Sequence, residues 1–387
     1  MKYLCVQYGI YGIIYNSVIK TLSIYIIEIL SEVWEMRLEF VDNLKEKEVL
    51  AKDILSSTGE ILLKSGVEIE NFMISKLKRY GVFMVYVKDD RFSDVIEDDN
   101  VLTELKQTTL EIIPNLFNDL LEGDIEVLAR SMNKMDNLIE QIINQNSINV
   151  SLYEVKTYDN YTYIHCVDTG IMSVYLGNCL NLGTSKVKEL GISAMLHDIG
   201  KIKVPNEIIN KHGPLTDEEF KIIKKHPIYG EEILTNTGLF SEDIIRGVAE
   251  HHERIDGKGY PYGLKKNEIS TYGKIISVSD VFTAVSANRS YRMKFDPKEA
   301  YEFILSGMGN RFDDEVIKKF KENFAIYPLG CGVKLSNGVQ GYVIKQNKNF
   351  PDRPMIRIVY DTFTNQPVQP YEIDLIENMK LTIKSVC

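Results

Sequence analysis

The spacing of apolar positions divides the chain into stretches of different character. Between residues 98 and 150, "LTELKQTTLEIIPNLFNDLL" and "IEVLARSMNKMDNLIEQIINQ" place apolar residues three and four apart, the period of one face of an α-helix. The helical period continues from about 151 to 326, broken at turns such as "NLGTS", "KHGPLT", "TNTGL" and "DGKGYPYG". Within it, "GPLTDEEF" predicts a helix start, with Thr216 as N-cap, Glu219 three residues on, and acids filling the first turn. Upstream, residues 36 to about 90 mix short strand-like runs ("RLEFV", "MVYVK") with "STGE" and "KSG" turns and a short helix near 70–80. After Pro328 the period drops to two. "GCGVKLSNGVQGYVIKQ", "MIRIVYDTFTNQPV" and "EIDLIENMKLTI" alternate around Asn-Gly and Asn-Gln turns and predict a small β domain, a barrel-like meander. The expected architecture is mainly α. A hydrophobic extension (1–35), a small α+β module (36–95) and connecting helices (96–150) precede a helical bundle (151–326), and a small β-rich domain (327–387) follows it.

The first 35 residues fit this scheme least. "YLCVQYGIYGIIYNSVI" is apolar and aromatic, yet Lys20 and Glu28 interrupt its continuation, short of the ~20 apolar residues that a spanning helix needs. No small-residue cleavage site follows, which argues against a signal peptide. Met36 then opens a stretch that reads as a fresh domain start. An upstream extension, a packed helix and a weak membrane contact all stay open for this segment.

Composition narrows the function classes. A balance of 44% hydrophobic and 26% charged residues is that of a folded globular protein, neither disordered nor a repeat array. A formal net charge of −10 argues against binding a nucleic-acid polymer, but leaves room for a small phosphate ligand held by a few local cations. Five cysteines without paired spacing predict reduced thiols in a cytoplasmic protein and exclude a CxxC zinc site. Cys166 is expected to serve as packing.

The candidate chemistry lies in the histidines. His165, His197, His226 and His251 are 32, 29 and 25 residues apart, and His252 lies 28 before Asp280, about one helix plus its turn each time. Successive helices would then deliver one or two ligands each to the centre of a bundle, as helical proteins do when they build polynuclear metal sites. A single histidine on an apolar helix face is more often a core residue oriented by a neighbouring aspartate. Five histidines and two aspartates at helix-repeat spacing favour a metal. His212, in "NKHGPL", fits no ligand pattern and is read as exposed. Imidazole and carboxylate donors without thiolate suit iron or manganese, and zinc less distinctively.

"HDIGK" at 197–201 followed by "HHERIDGKGYP" at 251–261 resembles the HD-GYP subgroup of the HD phosphohydrolase superfamily. The intervening "GKIKVPNEIINKHGPLTDEEFKIIKKHP" and the later "SVSDVFTAVSANRSYR" are similar to the same family, so the likeness covers about residues 157–325. It implies an HD-type helical bundle in which His165, His197, Asp198, His226, His251, His252 and Asp280 hold two divalent metal ions, with Asp198 bridging them. It further implies hydrolysis of cyclic di-GMP to pGpG, and sometimes on to GMP, by metal-activated water. Asp198 and Lys201 would be catalytic. Lys201, Arg289 and Arg292 would contact the substrate, against the alternative that all three are ordinary surface cations. Two positions depart from the family pattern: Ser290 stands where proline is usual, and Tyr161 stands one turn before His165, where some members carry a glutamate for a third metal. Asp159 lies two residues further back, so two ions are expected rather than three.

The GYP segment comprises Arg254, Asp256, Gly257, Gly259, Tyr260 and Pro261. Its glycines are expected to supply backbone freedom and its proline to fix the exit, with Glu253 and Arg254 on the polar rim of the site. It reads either as a rim loop that also meets a partner such as a diguanylate cyclase, or as a plain helix-ending turn. Pairing of two chains is a further expectation. The competing functions are hydrolysis of another cyclic dinucleotide such as cyclic GMP-AMP, or of a nucleotide, and a non-catalytic cyclic di-GMP sensor.

Overall fold

The computed structural model describes residues 33–34, 36–55, 60–80, 82, 84–92, 95–96, 100–122, 125–144, 161–211, 213–287, 297–347 and 349–387. Residues 1–32, Asp159, His212, Arg289, Ser290 and Arg292 lie outside them.

Three short antiparallel pairs open the chain: β1 (Val33–Trp34) with β6 (Val95–Ile96), β2 (Met36–Phe40) with β5 (Met84–Lys88), and β3 (Ile54–Leu55) with β4 (Ile61–Leu63). The runs "RLEFV" and "MVYVK" are thus partners in one ladder. Between β4 and β5, α1 (Asn71–Arg79) contributes Leu77 to a small core with Leu50, Ile69 and Val85. Two long helices follow, α2 (Asn100–Glu122) and α3 (Ile125–Asn144), which pack on each other and on the bundle.

The bundle runs α4 (Tyr161–Cys179), α5 (Thr184–Met195), α6 (Asn206–Ile209), α7 (Asp217–Ile223), α8 (His226–Thr237), α9 (Glu242–Glu250), α10 (Thr271–Ala287), α11 (Pro297–Ser306) and α12 (Asp314–Asn323). Helices apolar around their whole circumference belong at the centre. In α4 this holds for Val167, Ile171, Met172, Val174 and Leu176, and in α10 for Ile275, Ile276, Val278 and Phe282, all buried. These two helices pack together, and the Thr169 and Thr283 hydroxyls meet at 2.9 Å between them. α7 starts as its sequence predicts: Thr216 Oγ1 accepts the Glu219 N–H at 3.2 Å, and Glu219 Oε2 accepts the Thr216 N–H at 2.7 Å.

The C-terminal strands β7 (Gly332–Leu335), β8 (Val339–Lys345), β9 (Met355–Asp361), β10 (Gln366–Asp374) and β11 (Ile383–Val386) form one antiparallel sheet in the order β10-β9-β8-β7-β11. β7 to β10 are the expected meander, while β11 returns to the free side of β7. β10 and β11 are therefore opposite edges, and the ladder stays open rather than closing as a barrel. The N-terminal ladder of β2 and β5 is a separate sheet that meets the chain just ahead of β7. Leu38 N donates to Gly330 O at 3.0 Å and Leu38 bridges Cys331 in parallel, while the Phe92 ring meets Tyr342 edge-on at 5.3 Å. Among the described residues no helix is long and apolar enough to cross a membrane.

Candidate metal centre

The bundle brings five of the histidines and both aspartates to one buried point. α4 carries His165 and α10 carries Asp280. α5 ends at Met195, and the chain passes His197 and Asp198 before a 3₁₀ turn over Ile199–Lys203. His226 opens α8, and His251 and His252 directly follow α9. His197 and His251 are fully buried, and Asp198 and His226 are 1% exposed. Their ligand atoms form three overlapping groups, each within 4.8 Å: His226, His251 and His252; His165, His197 and Asp280; and His197, Asp198 and His251. Sharing of His197 and His251 between groups joins them into one cluster.

The backbone dictates which ring nitrogens face inward. His197, His226 and His251 each donate Nδ1–H to the carbonyl three residues back, those of Ala194, Ile223 and Val248, at 2.7, 2.8 and 2.7 Å. Each Nε2 is then a lone pair aimed at the cluster, the tautomer a metal requires. His226 Nε2 and His251 Nε2 face each other at 3.2 Å. Two lone pairs at that distance repel unless a cation lies between them, and nitrogens about 2.1 Å from one ion sit that far apart at an angle near 100°. His197 Nε2 and Asp198 Oδ1 are buried without a hydrogen-bond partner among the described residues, a costly state that a metal relieves. Asp198 offers Oδ2 to His197 Nε2 and Oδ1 to His226 Nε2, both at 3.4 Å, an orientation suited to a bridging carboxylate. Asp280 approaches His165 Nε2 with Oδ1 at 2.9 Å and His252 Nδ1 with Oδ2 at 3.7 Å. The donor set fits metal ions.

The surroundings of these groups make them resist protonation, burial for the imidazoles and neighbouring cations and imidazoles for the carboxylates. Loss of solvent pushes His226 and His251 down to about 4, and lowers His197 and, further, His252. Burial alone would raise Asp198, but Lys201 and the surrounding imidazoles hold it well below the ordinary carboxylate range; Asp280 is likewise lowered, by the hydrogen bond to His165 and by His252. In every case the unfolded chain binds more protons than the folded one. The metal-free protein is therefore expected to lose stability as the pH falls from about 6.5, where unfolded histidines begin to charge, through about 4. Thermal unfolding of chelated protein at pH 7 and 4.5 checks this. An unchanged midpoint would contradict the burial.

Gly200 and Glu253 have roles that the fold alone reveals. The helix ends at Met195, before Gly200. A Cβ at position 200 would lie 1.9 Å from His226 O and 2.5 Å from Gly230 N, so the glycine lets the 3₁₀ turn press against α8. Glu253 is not on the rim but 2% exposed. Its carboxylate accepts the N–H groups of Tyr262, Gly263 and Leu264 at 2.6, 3.0 and 3.0 Å and closes the GYP loop from within. Gly257 has φ +75° and needs glycine's freedom, whereas a Cβ at Gly259 would lie 2.4 Å from Arg254 N, so that glycine serves close approach. The loop lays the Tyr260 ring against His252, centroids 4.7 Å apart and tilted 30°. Arg254 does face outward, paired with Asp256 at 2.6 Å. Lys201 Nζ donates to Asp198 Oδ2 at 2.5 Å. Cys166 is fully buried, as expected of packing.

The HD domain family model matches residues 137–316, and a model described as a KOW domain associated with HD domain matches residues 332–387. A cyclic di-GMP phosphodiesterase of Pseudomonas aeruginosa is 32% identical over 263 residues, 68% of this chain and 63% of that protein. One from Thermotoga maritima is 31% identical over 279 residues, 66% of this chain and 74% of that protein. A 3′3′-cGAMP-specific phosphodiesterase of Vibrio cholerae is 27% identical over 229 residues, 59% of this chain and 37% of that protein. The chain thus spans less than two thirds of the Pseudomonas and Vibrio relatives. With the buried cluster of five histidines and two aspartates built around "HDIGK" and "HHERIDGKGYP", these likenesses lead to one conclusion: the chain belongs to the HD-GYP family of HD-domain proteins.

Proposed function

We propose that the chain is a metal-dependent phosphodiesterase that opens cyclic di-GMP to pGpG. The observation that carries this reading is the facing Nε2 pair of His226 and His251 at 3.2 Å, beside the unpartnered His197 Nε2 and Asp198 Oδ1. The cyclic di-GMP phosphodiesterases of Pseudomonas and Thermotoga support the substrate. His165, His197, Asp198, His226, His251, His252 and Asp280 hold two divalent ions, iron or manganese. When bound, these ions supply Lewis-acid polarisation of a phosphoryl oxygen and a water acidic enough to attack at neutral pH.

The protein's own groups do the positioning. The Ala194, Ile223 and Val248 carbonyls lock three imidazoles as neutral ligands before metal arrives, so little reorganisation accompanies binding. Lys201 spends one of its three N–H bonds on Asp198, leaving two for a phosphate oxygen. Its side chain is 30% exposed where that of Asp198 is 1%, which suits a group that meets substrate. Arg289 and Arg292 serve as further substrate contacts. The role of the GYP loop in meeting a diguanylate cyclase, like pairing of two chains, rests on the family resemblance alone.

Protein purified without oxygen and supplied with Fe(II) or Mn(II) is expected to consume cyclic di-GMP and release pGpG, read by chromatography. Binding without turnover across a metal and redox series would point to a sensor instead. Faster turnover of 3′3′-cGAMP would overturn the substrate assignment.

A further inference from the structure

Beside the histidine–aspartate cluster lie two cations that make no ion pair among the described residues. Lys224, at the C-terminal end of α7, holds Nζ over the Tyr260 ring at 5.4 Å from its centroid and over Phe220 at 4.6 Å. Tyr260 is the residue stacked on His252. Arg311 arrives from the turn between α11 and α12. There the carbonyls of Arg311 and Asn310 accept the N–H groups of Ile255 and Asp256 at 3.3 and 3.1 Å, three and four residues beyond His252. Its guanidinium lies over the Phe312 ring at 5.4 Å, half-buried and within electrostatic reach of Asp280 and Tyr260.

Among the described residues neither cation makes a side-chain hydrogen bond or an ion pair. Exposed lysines such as Lys221, Lys225, Lys258 and Lys265 also go without an ion pair among the described residues, but Lys224 and Arg311 are half-buried, and several neighbouring cations do find partners. Lys203 pairs with Glu232, Lys211 with Glu219, Arg254 with Asp256, and Lys266 with Asp314. An unpaired, half-buried guanidinium is costly to the fold. Burial lowers Arg311's affinity for its proton, as does the nearby Arg254. Such a charge is suited to an anion from outside.

We propose that Lys224 and Arg311, set around the Tyr260 ring, form a second anion subsite for the phosphate of a cyclic dinucleotide that lies remote from the metal ligands. The proposal rests on the phosphodiesterase reading and deepens it. A cyclic dinucleotide carries two phosphates in one ring, and the metal centre with Lys201 takes only one of them. The other keeps its negative charge and needs cations of its own. The planar guanidinium fork matches two phosphate oxygens.

Steady-state kinetics of the full chain test this, with cyclic di-GMP and with bis(p-nitrophenyl) phosphate, which has a single phosphate. Arg311→Ala and Lys224→Ala should each raise KM for cyclic di-GMP about tenfold, with kcat falling less than about threefold. The rise on the single-phosphate substrate should be several-fold smaller; Lys224→Arg should recover most of the affinity and Arg311→Lys, which keeps the charge but not the fork, only part of it. Lys188→Ala, which removes an exposed ammonium paired with Glu140, is the control expected to keep wild-type constants. Equal rises on both substrates, or none on cyclic di-GMP, would overturn the subsite alone. A wild type that cleaves bis(p-nitrophenyl) phosphate but not cyclic di-GMP would overturn the phosphodiesterase reading instead.

Discussion

Asp198→Ala is expected to lower turnover of cyclic di-GMP by about a thousandfold or more, and to lower bound metal with it. Asp198 is the only carboxylate of the cluster that turns one oxygen toward His197 and the other toward His226, each at 3.4 Å. Removing it takes away the group placed to hold two cations close together, and leaves Lys201 without its acceptor. Asp198→Asn keeps the shape and separates charge from packing. It should fold like the wild type and still fail in turnover. A replacement that retains both metal and activity would remove Asp198 from the mechanism.

Gly200→Ala carries the second large effect, although it adds one methyl group outside the ligand set. Alanine is the better helix former by about 1 kcal/mol, so propensity alone predicts a small gain. Against that, the new Cβ would sit 1.9 Å from His226 O, 2.5 Å from Gly230 N and 2.9 Å from His226 C. All three are backbone atoms, so no rotamer change relieves the contact, and α8 itself must move. Overpacking of this kind costs about 3 kcal/mol and outweighs the propensity gain. The displaced residue is His226, so metal affinity and activity should fall together with stability. Denaturant unfolding and metal content of the variant check both parts. A variant as stable and as metal-replete as the wild type would show that the close approach is not real.

Five of the seven cluster residues were legible in sequence because they stand at breaks in an otherwise apolar helical pattern, while His165 and Asp280 lie within α4 and α10 and were legible by their spacing. His197 and Asp198 follow α5, His226 opens α8, and His251 and His252 follow α9, where side chains of successive helices converge. The α7 capping box was legible for the same local reason. What escaped depends on contacts between distant segments. Gly200 and Gly259 look like turn glycines in sequence, and only the approach of α8 and of Arg254 N reveals that both exclude a side chain. Glu253 reads as a rim charge beside Arg254, yet it is buried. The signal that could have found it is the turn at 262–264, whose N–H groups need an acceptor once the loop folds inward. The bridge between Leu38 and Cys331 joins segments far apart in the chain, and no local pattern announces it.

Metal content of the full chain, purified without oxygen and measured by elemental analysis, tests the central claim most directly. About two iron or manganese ions per chain are expected in the wild type, falling below one in Asp198→Ala. A folded wild type that binds no metal under any supply of iron, manganese or zinc would contradict it. The facing lone pairs of His226 and His251 would then have to share a proton instead.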